Sequence, residues 1–65
     1  MQPGAPDIGE QFARLTCMLE DAHSIAVEGQ AHDLARDEYR VLVGQLHLAI
    51  SQMRVCNKAI ERALR

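Results

Sequence analysis

The stretch Tyr39 to Ala63, YRVLVGQLHLAISQMRVCNKAIERA, decides the fold. Its apolar stripe is Tyr39, Leu42, Leu46, Ala49, Met53, Cys56, Ile60 and Ala63, in alternating steps of three and four. That rhythm is the stripe of an α-helix lying along a straight partner helix. Asp37 and Glu38 stand before the stripe, and Lys58, Arg62 and Arg65 come at its end. Acids at the start and bases at the end suit the helix macrodipole. A helix is therefore expected over residues 36–64. No segment alternates with period two, so no strand is expected.

Working backwards, residues 29–35 have weaker periodicity and read as a connection. Leu34 is placed to staple onto Tyr39 across the second helix start, while Asp33 offers an alternative, earlier cap. A first helix is expected over 8–28. Asp7 has the N-cap chemistry, with Glu10 at capping-box spacing. Gly29 suits the left-handed residue that often ends helices. The first six residues hold both prolines and one glycine and read as a disordered tail. The first-helix stripe is expected at Ile8, Phe12, Leu15, Leu19, Ala22, Ala26 and Gly29, with Met18 and Ile25 widening it.

Laid antiparallel, the two stripes match residue by residue. Ile8 faces Ile60, Phe12 faces Cys56, Leu15 faces Met53 and Leu19 faces Ala49. Ala22 then faces Leu46, Ala26 faces Leu42, and Gly29 faces Tyr39. Near the turn large meets small, as interdigitating layers require. The charges are complementary: residues 1–35 carry six acids and one base, residues 36–65 six bases and three acids. The expected fold is all-α, an antiparallel two-helix hairpin.

One seam cannot enclose a core, and a 65-residue chain is near the lower limit for folding alone. The second helix carries Val43, Ile50 and Leu64 on one side of its stripe and Val41, Leu48 and Val55 on the other. That arc is wider than one partner helix covers. Dimerisation into a four-helix bundle is the expected remedy, with a two-fold homodimer the default. Phe12, Leu15, Leu19, Leu42, Leu46, Ile50, Met53 and Ile60 are the expected seam and dimer core.

Composition excludes several functions. With 48% apolar and 25% charged residues the chain is globular in balance, not disordered. Phe12 and Tyr39 are its only aromatics, too few for a base-stacking platform. The longest uncharged run, Val41 to Met53, falls short of a membrane span. The N-terminal residues lack a basic stretch followed by an apolar core, so no signal peptide is expected. Cys17 and Cys56 are then expected as reduced thiols in the cytoplasm. Glu20 and His23 have a Glu-x-x-His spacing, but the second-helix stripe holds no acid to complete a di-metal site. The four glycines are scattered and form no phosphate loop. No nucleophile–base pair stands out. No catalytic, cofactor or metal residue is expected, and the chain is read as non-enzymatic.

What remains is recognition. A partner site is expected from Val41, Leu48 and Val55 with the turn around Tyr39, flanked by Arg36 and Arg40. Tyr39 joins an apolar ring to a hydroxyl, a combination favoured at interface anchors. The expected partners are a second copy and an unidentified protein, such as a regulator that the chain inhibits or adapts. Nucleic acid ranks behind these, through the basic stripe Arg40, His47, Arg54, Lys58 and Arg65, since the net charge of −2 opposes attraction to phosphate. A purely structural oligomerisation element is the remaining alternative. In length and hairpin form the chain resembles small plasmid- and phage-encoded helical hairpin dimers, among them copy-number regulators that bind paired RNA loops. That resemblance implies a bacterial or phage setting and a homodimer.

Overall fold

The computed structural model describes residues 7–65. The expected N-terminal tail lies outside the described residues. Two helices, α1 (Ile8–Glu28) and α2 (Arg36–Ala63), pack against each other as a hairpin.

Local chemistry sets each helix end. Asp7 is extended, and its Oδ1 accepts a hydrogen bond from the Glu10 N–H at 3.2 Å. The Glu10 carboxylate lies 3.7 Å from Arg14 one turn on. At the start of α2 the N-cap is Ala35, which has no side-chain acceptor; Glu38 Oε1 instead accepts from the Ala35 N–H at 3.3 Å. Gly29 differs from its expected role. It is right-handed, at φ −68° and ψ −9°. The chain leaves α1 by tightening, with the Gln30 N–H on the Val27 carbonyl at 3.0 Å and the Ala31 N–H on Glu28 at 3.2 Å. These short-range bonds satisfy the last carbonyls, so no left-handed residue is needed there.

The α2 seam follows the 3–4 stripe. Ala49, Cys56 and Ile60 are buried, and Leu42, Leu46, Met53 and Ala63 are half-buried. The α1 seam is rotated from the expected one. Its half-buried residues are Ile8, Gln11, Leu15, Met18, Ala22, Ile25 and Gly29. Phe12, Leu19 and Ala26 are exposed and stand outside the hairpin seam. Ile50, grouped with the core from sequence, is likewise exposed in the hairpin. The register shifts accordingly. Gln11, not Phe12, meets Cys56: the thiol donates to the Gln11 carbonyl at 3.3 Å and lies 3.4 Å from its Oε1. At the turn Gly29 looks onto Leu42, whose Cδ1 would lie 3.9 Å from an added Cβ, rather than onto Tyr39.

Among the described residues, both ion pairs, Glu10–Arg14 and Asp37–Arg40, join neighbours on one helix. Among the described residues, no ion pair bridges α1 and α2, so packing along the seam holds the hairpin and the opposed charges act only at longer range. The result is a rod of 52 × 16 × 14 Å. Its radius of gyration is 15.5 Å, against about 11 Å for a compact domain of this length.

Candidate interaction surfaces

A helix turns about 100° per residue, so the residues just before and just after each seam position fall on opposite flanks of the hairpin. One flank is defined by three shallow grooves between the helices. The first lies between Gln11, Arg14 and Met18 of α1 and Gln52, Val55, Cys56 and Ala59 of α2. The second, at the turn, is lined by Glu28, Leu34, Glu38, Val41, Leu42 and Gln45. The third lies between Asp21, Ser24 and Ile25 and Gln45, Leu48, Ala49 and Gln52. Gln45 and Gln52 each belong to two grooves, so the three, of 510, 520 and 420 Å³, form one continuous trough. Val41, Leu48 and Val55 line its α2 wall. Its edges are polar: Arg14 toward the open end, Asp21 in the middle, Glu28 and Glu38 at the turn.

The opposite flank carries the residues that follow alternate seam positions, Gln11, Met18 and Ile25 on α1 and Leu42, Ala49, Cys56 and Ala63 on α2. From α1 these are Phe12, Leu19 and Ala26; from α2 they are Val43, Ile50, Asn57 and Leu64. Antiparallel packing puts both sets on the same side, since the trough already holds Arg14, Asp21, Glu28, Gln45 and Gln52 together on the other. No charged residue occupies this set. Its one polar side chain, Asn57, donates from Nδ2 to Glu61 Oε1 at 3.3 Å on its own helix. Five large apolar residues here, Phe12, Leu19, Val43, Ile50 and Leu64, are each about half exposed or more.

The expected partner residues therefore divide. Val41, Leu48 and Val55 lie together on the trough. Arg40, one residue after Tyr39, lies toward the apolar flank, where it is 3.4 Å from Asp37. Arg36 stands in the first turn of α2, exposed. Tyr39 is partly exposed, but its hydroxyl donates to the Ala31 carbonyl at 2.9 Å and ties the connection to α2. The basic stripe, Arg40, His47, Arg54, Lys58 and Arg65, is exposed along the outer face of α2. Gln11 is the seam residue that apolar periodicity passed over. Its usable signal was its place seven residues before Met18 and fourteen before Ile25.

Cys17 is exposed and Cys56 buried, both as free thiols. Among the described residues, no group of three His, Cys, Asp or Glu side chains could hold a metal ion. Among the described residues, no helix is long and apolar enough to cross a membrane. No protein-family model, curated protein or solved structure matches the chain.

Proposed function

We propose that the chain is a non-enzymatic protein–protein interaction module of the cytoplasm, working as a homodimer of helical hairpins in a four-helix bundle. It docks on a partner protein and inhibits or adapts it. One observation carries the reading: large apolar side chains stand exposed on both flanks of a rod in which, among the described residues, only Ala49, Cys56 and Ile60 are buried. Exposed apolar surface on this scale marks interaction sites in soluble proteins. Two separate flanks allow one to pair with a second copy while the other takes a different protein.

The trough supports the docking half of the proposal. Val41, Leu48 and Val55 recur every seven residues along the outer α2 wall of the trough, which fits an amphipathic helix laid against it. Acids at the turn end favour a partner helix with basic residues there. Binding through such a groove is tested by titrating affinity against salt. A shallow dependence, with loss of binding in Leu48→Glu, supports the proposal. A steep logarithmic dependence, with loss in Arg54→Ala and Lys58→Ala, would replace it with phosphate-backbone recognition by the basic stripe.

A further inference from the structure

We infer that the flank bearing Phe12, Leu19, Val43, Ile50 and Leu64 is covered by a second copy of this chain, turned end for end, which leaves the trough open. The inference rests on the dimer reading above and goes beyond it by naming the face and the orientation.

Three observations carry it. The first is continuity with the seam. Each residue of this flank follows a seam residue by one position in both helices, so each helix presents a seam plus one adjoining apolar row. That is the stripe width of a bundle helix touching two neighbours. The trough flank interrupts its apolar surface with Arg14, Asp21, Glu28 and Glu38.

The second is area. Exposures are 55% at Phe12, 56% at Leu19, 65% at Val43, 46% at Ile50 and 70% at Leu64. At roughly 200 Å² for a large side chain, these leave on the order of 600 Å² open per chain. Two copies face to face then bury on the order of 1,200 Å², which reaches the range of stable specific interfaces.

The third is charge, and it selects the orientation. The turn end carries Glu28, Asp33, Asp37 and Glu38 against Arg36 and Arg40, a surplus of acid. The open end carries Arg14, Arg54, Lys58, Arg62 and Arg65 against Asp7, Glu10 and Glu61, a surplus of base. A two-fold axis across the helices sets the acidic end of one copy on the basic end of the other. An axis along the helices would stack like on like. The groove linings put Met18 with Gln52 and Asp21 with Leu48, so Leu19 and Ile50 stand at similar heights near mid-rod. The crosswise axis then passes over both. Leu19 meets Leu19, Ile50 meets Ile50, and Phe12 meets the small Ala26 of the other copy.

The test combines two kinds of variant, with mass read by sedimentation and helicity by circular dichroism. Ile50→Glu is expected to halve the mass of the folded species, and Leu48→Glu to leave it unchanged. In a Cys17→Ser background, Ile50→Cys alone is expected to form an intermolecular disulfide under mild oxidation. If Leu48→Glu breaks the dimer and Ile50→Glu does not, the face assignment is overturned and the dimer reading stands. If Ile50→Cys crosslinks only when Leu19→Cys is also present, the end-for-end orientation is overturned. If the unaltered chain is a folded monomer at micromolar concentration, the dimer reading itself falls. Should Ile50→Glu unfold, Ile50→Ser at several concentrations replaces it, and a mass unchanged from that of the unaltered chain at every concentration would overturn the face assignment.

Discussion

The two flanks of the hairpin share one heptad rhythm and differ in what borders the seam. After Gln11, Met18 and Ile25 on α1 come Phe, Leu and Ala, and after Leu42, Ala49, Cys56 and Ala63 on α2 come Val, Ile, Asn and Leu, with no charge among them. Before Leu15, Ala22 and Gly29 on α1 come Arg14, Asp21 and Glu28, and before Tyr39, Leu46 and Met53 on α2 come Glu38, Gln45 and Gln52. The apolar residues of the trough, Val41, Leu48 and Val55, lie one row further out, behind that polar edge. The contrast separates two uses of apolar surface. A row adjoining the seam without interruption extends the core and stays in water only at a cost. A row fenced by charged and amide side chains can remain hydrated and exchange partners.

Truncations on seam and flanks can break this comparison. The largest effect is expected at Ile60, which is buried in the hairpin itself. Ile60→Ala should lower stability by about 2–5 kcal/mol, measured by thermal or urea unfolding. Next comes a matched pair on the flanks. Ile50→Ala should cost about 2 kcal/mol or more if the apolar flank is covered, and Leu48→Ala about 0.5 kcal/mol or less. Equal costs would erase the distinction between the flanks.

Two smaller changes sharpen the picture of what lies outside both. Tyr39→Phe deletes the hydroxyl that reaches the Ala31 carbonyl and should cost about 0.5–1.5 kcal/mol in unfolding experiments. A larger loss confined to partner affinity would return Tyr39 to the role of binding anchor. Gly44 lies on the outer face of α2, with nothing within 4 Å of an added Cβ. Gly44→Ala should therefore raise stability by about 1 kcal/mol through helix propensity alone. A fall in stability would show that something packs against this outer face.

Much of the architecture was legible because few residues could mislead. The α2 stripe alternates three and four without a break, and its neighbours on either side include charges that fix its centre. The hairpin follows from two such stripes and a short connection containing glycine. The α1 seam was misplaced for a definite reason. Ile8, Leu15 and Ala22 belong to either candidate seam, and the second row is Phe12, Leu19 and Ala26 in one and Gln11, Met18 and Ile25 in the other. Counting apolar residues chooses the first, because Gln11 scores as polar. The two choices differ by a helix rotation of roughly 50°. What decides between them is tertiary: Cys56 faces the Gln11 backbone and amide, and a half-buried glutamine with a partner costs little. The same ambiguity hid the apolar flank, since its α1 half had been counted as seam. Likewise, nothing in the sequence showed that the Tyr39 hydroxyl already has a backbone partner.

The central claim is that the apolar flank is completed by a second copy. The most direct test is the melting temperature of the unaltered chain, followed by circular dichroism from sub-micromolar to hundreds of micromolar, with mass checked by sedimentation. The account predicts a folded species of twice 7.2 kDa whose melting temperature rises steadily with concentration, because association stabilises the folded state by mass action. A 7.2 kDa species with full helicity and a melting temperature independent of concentration would contradict it.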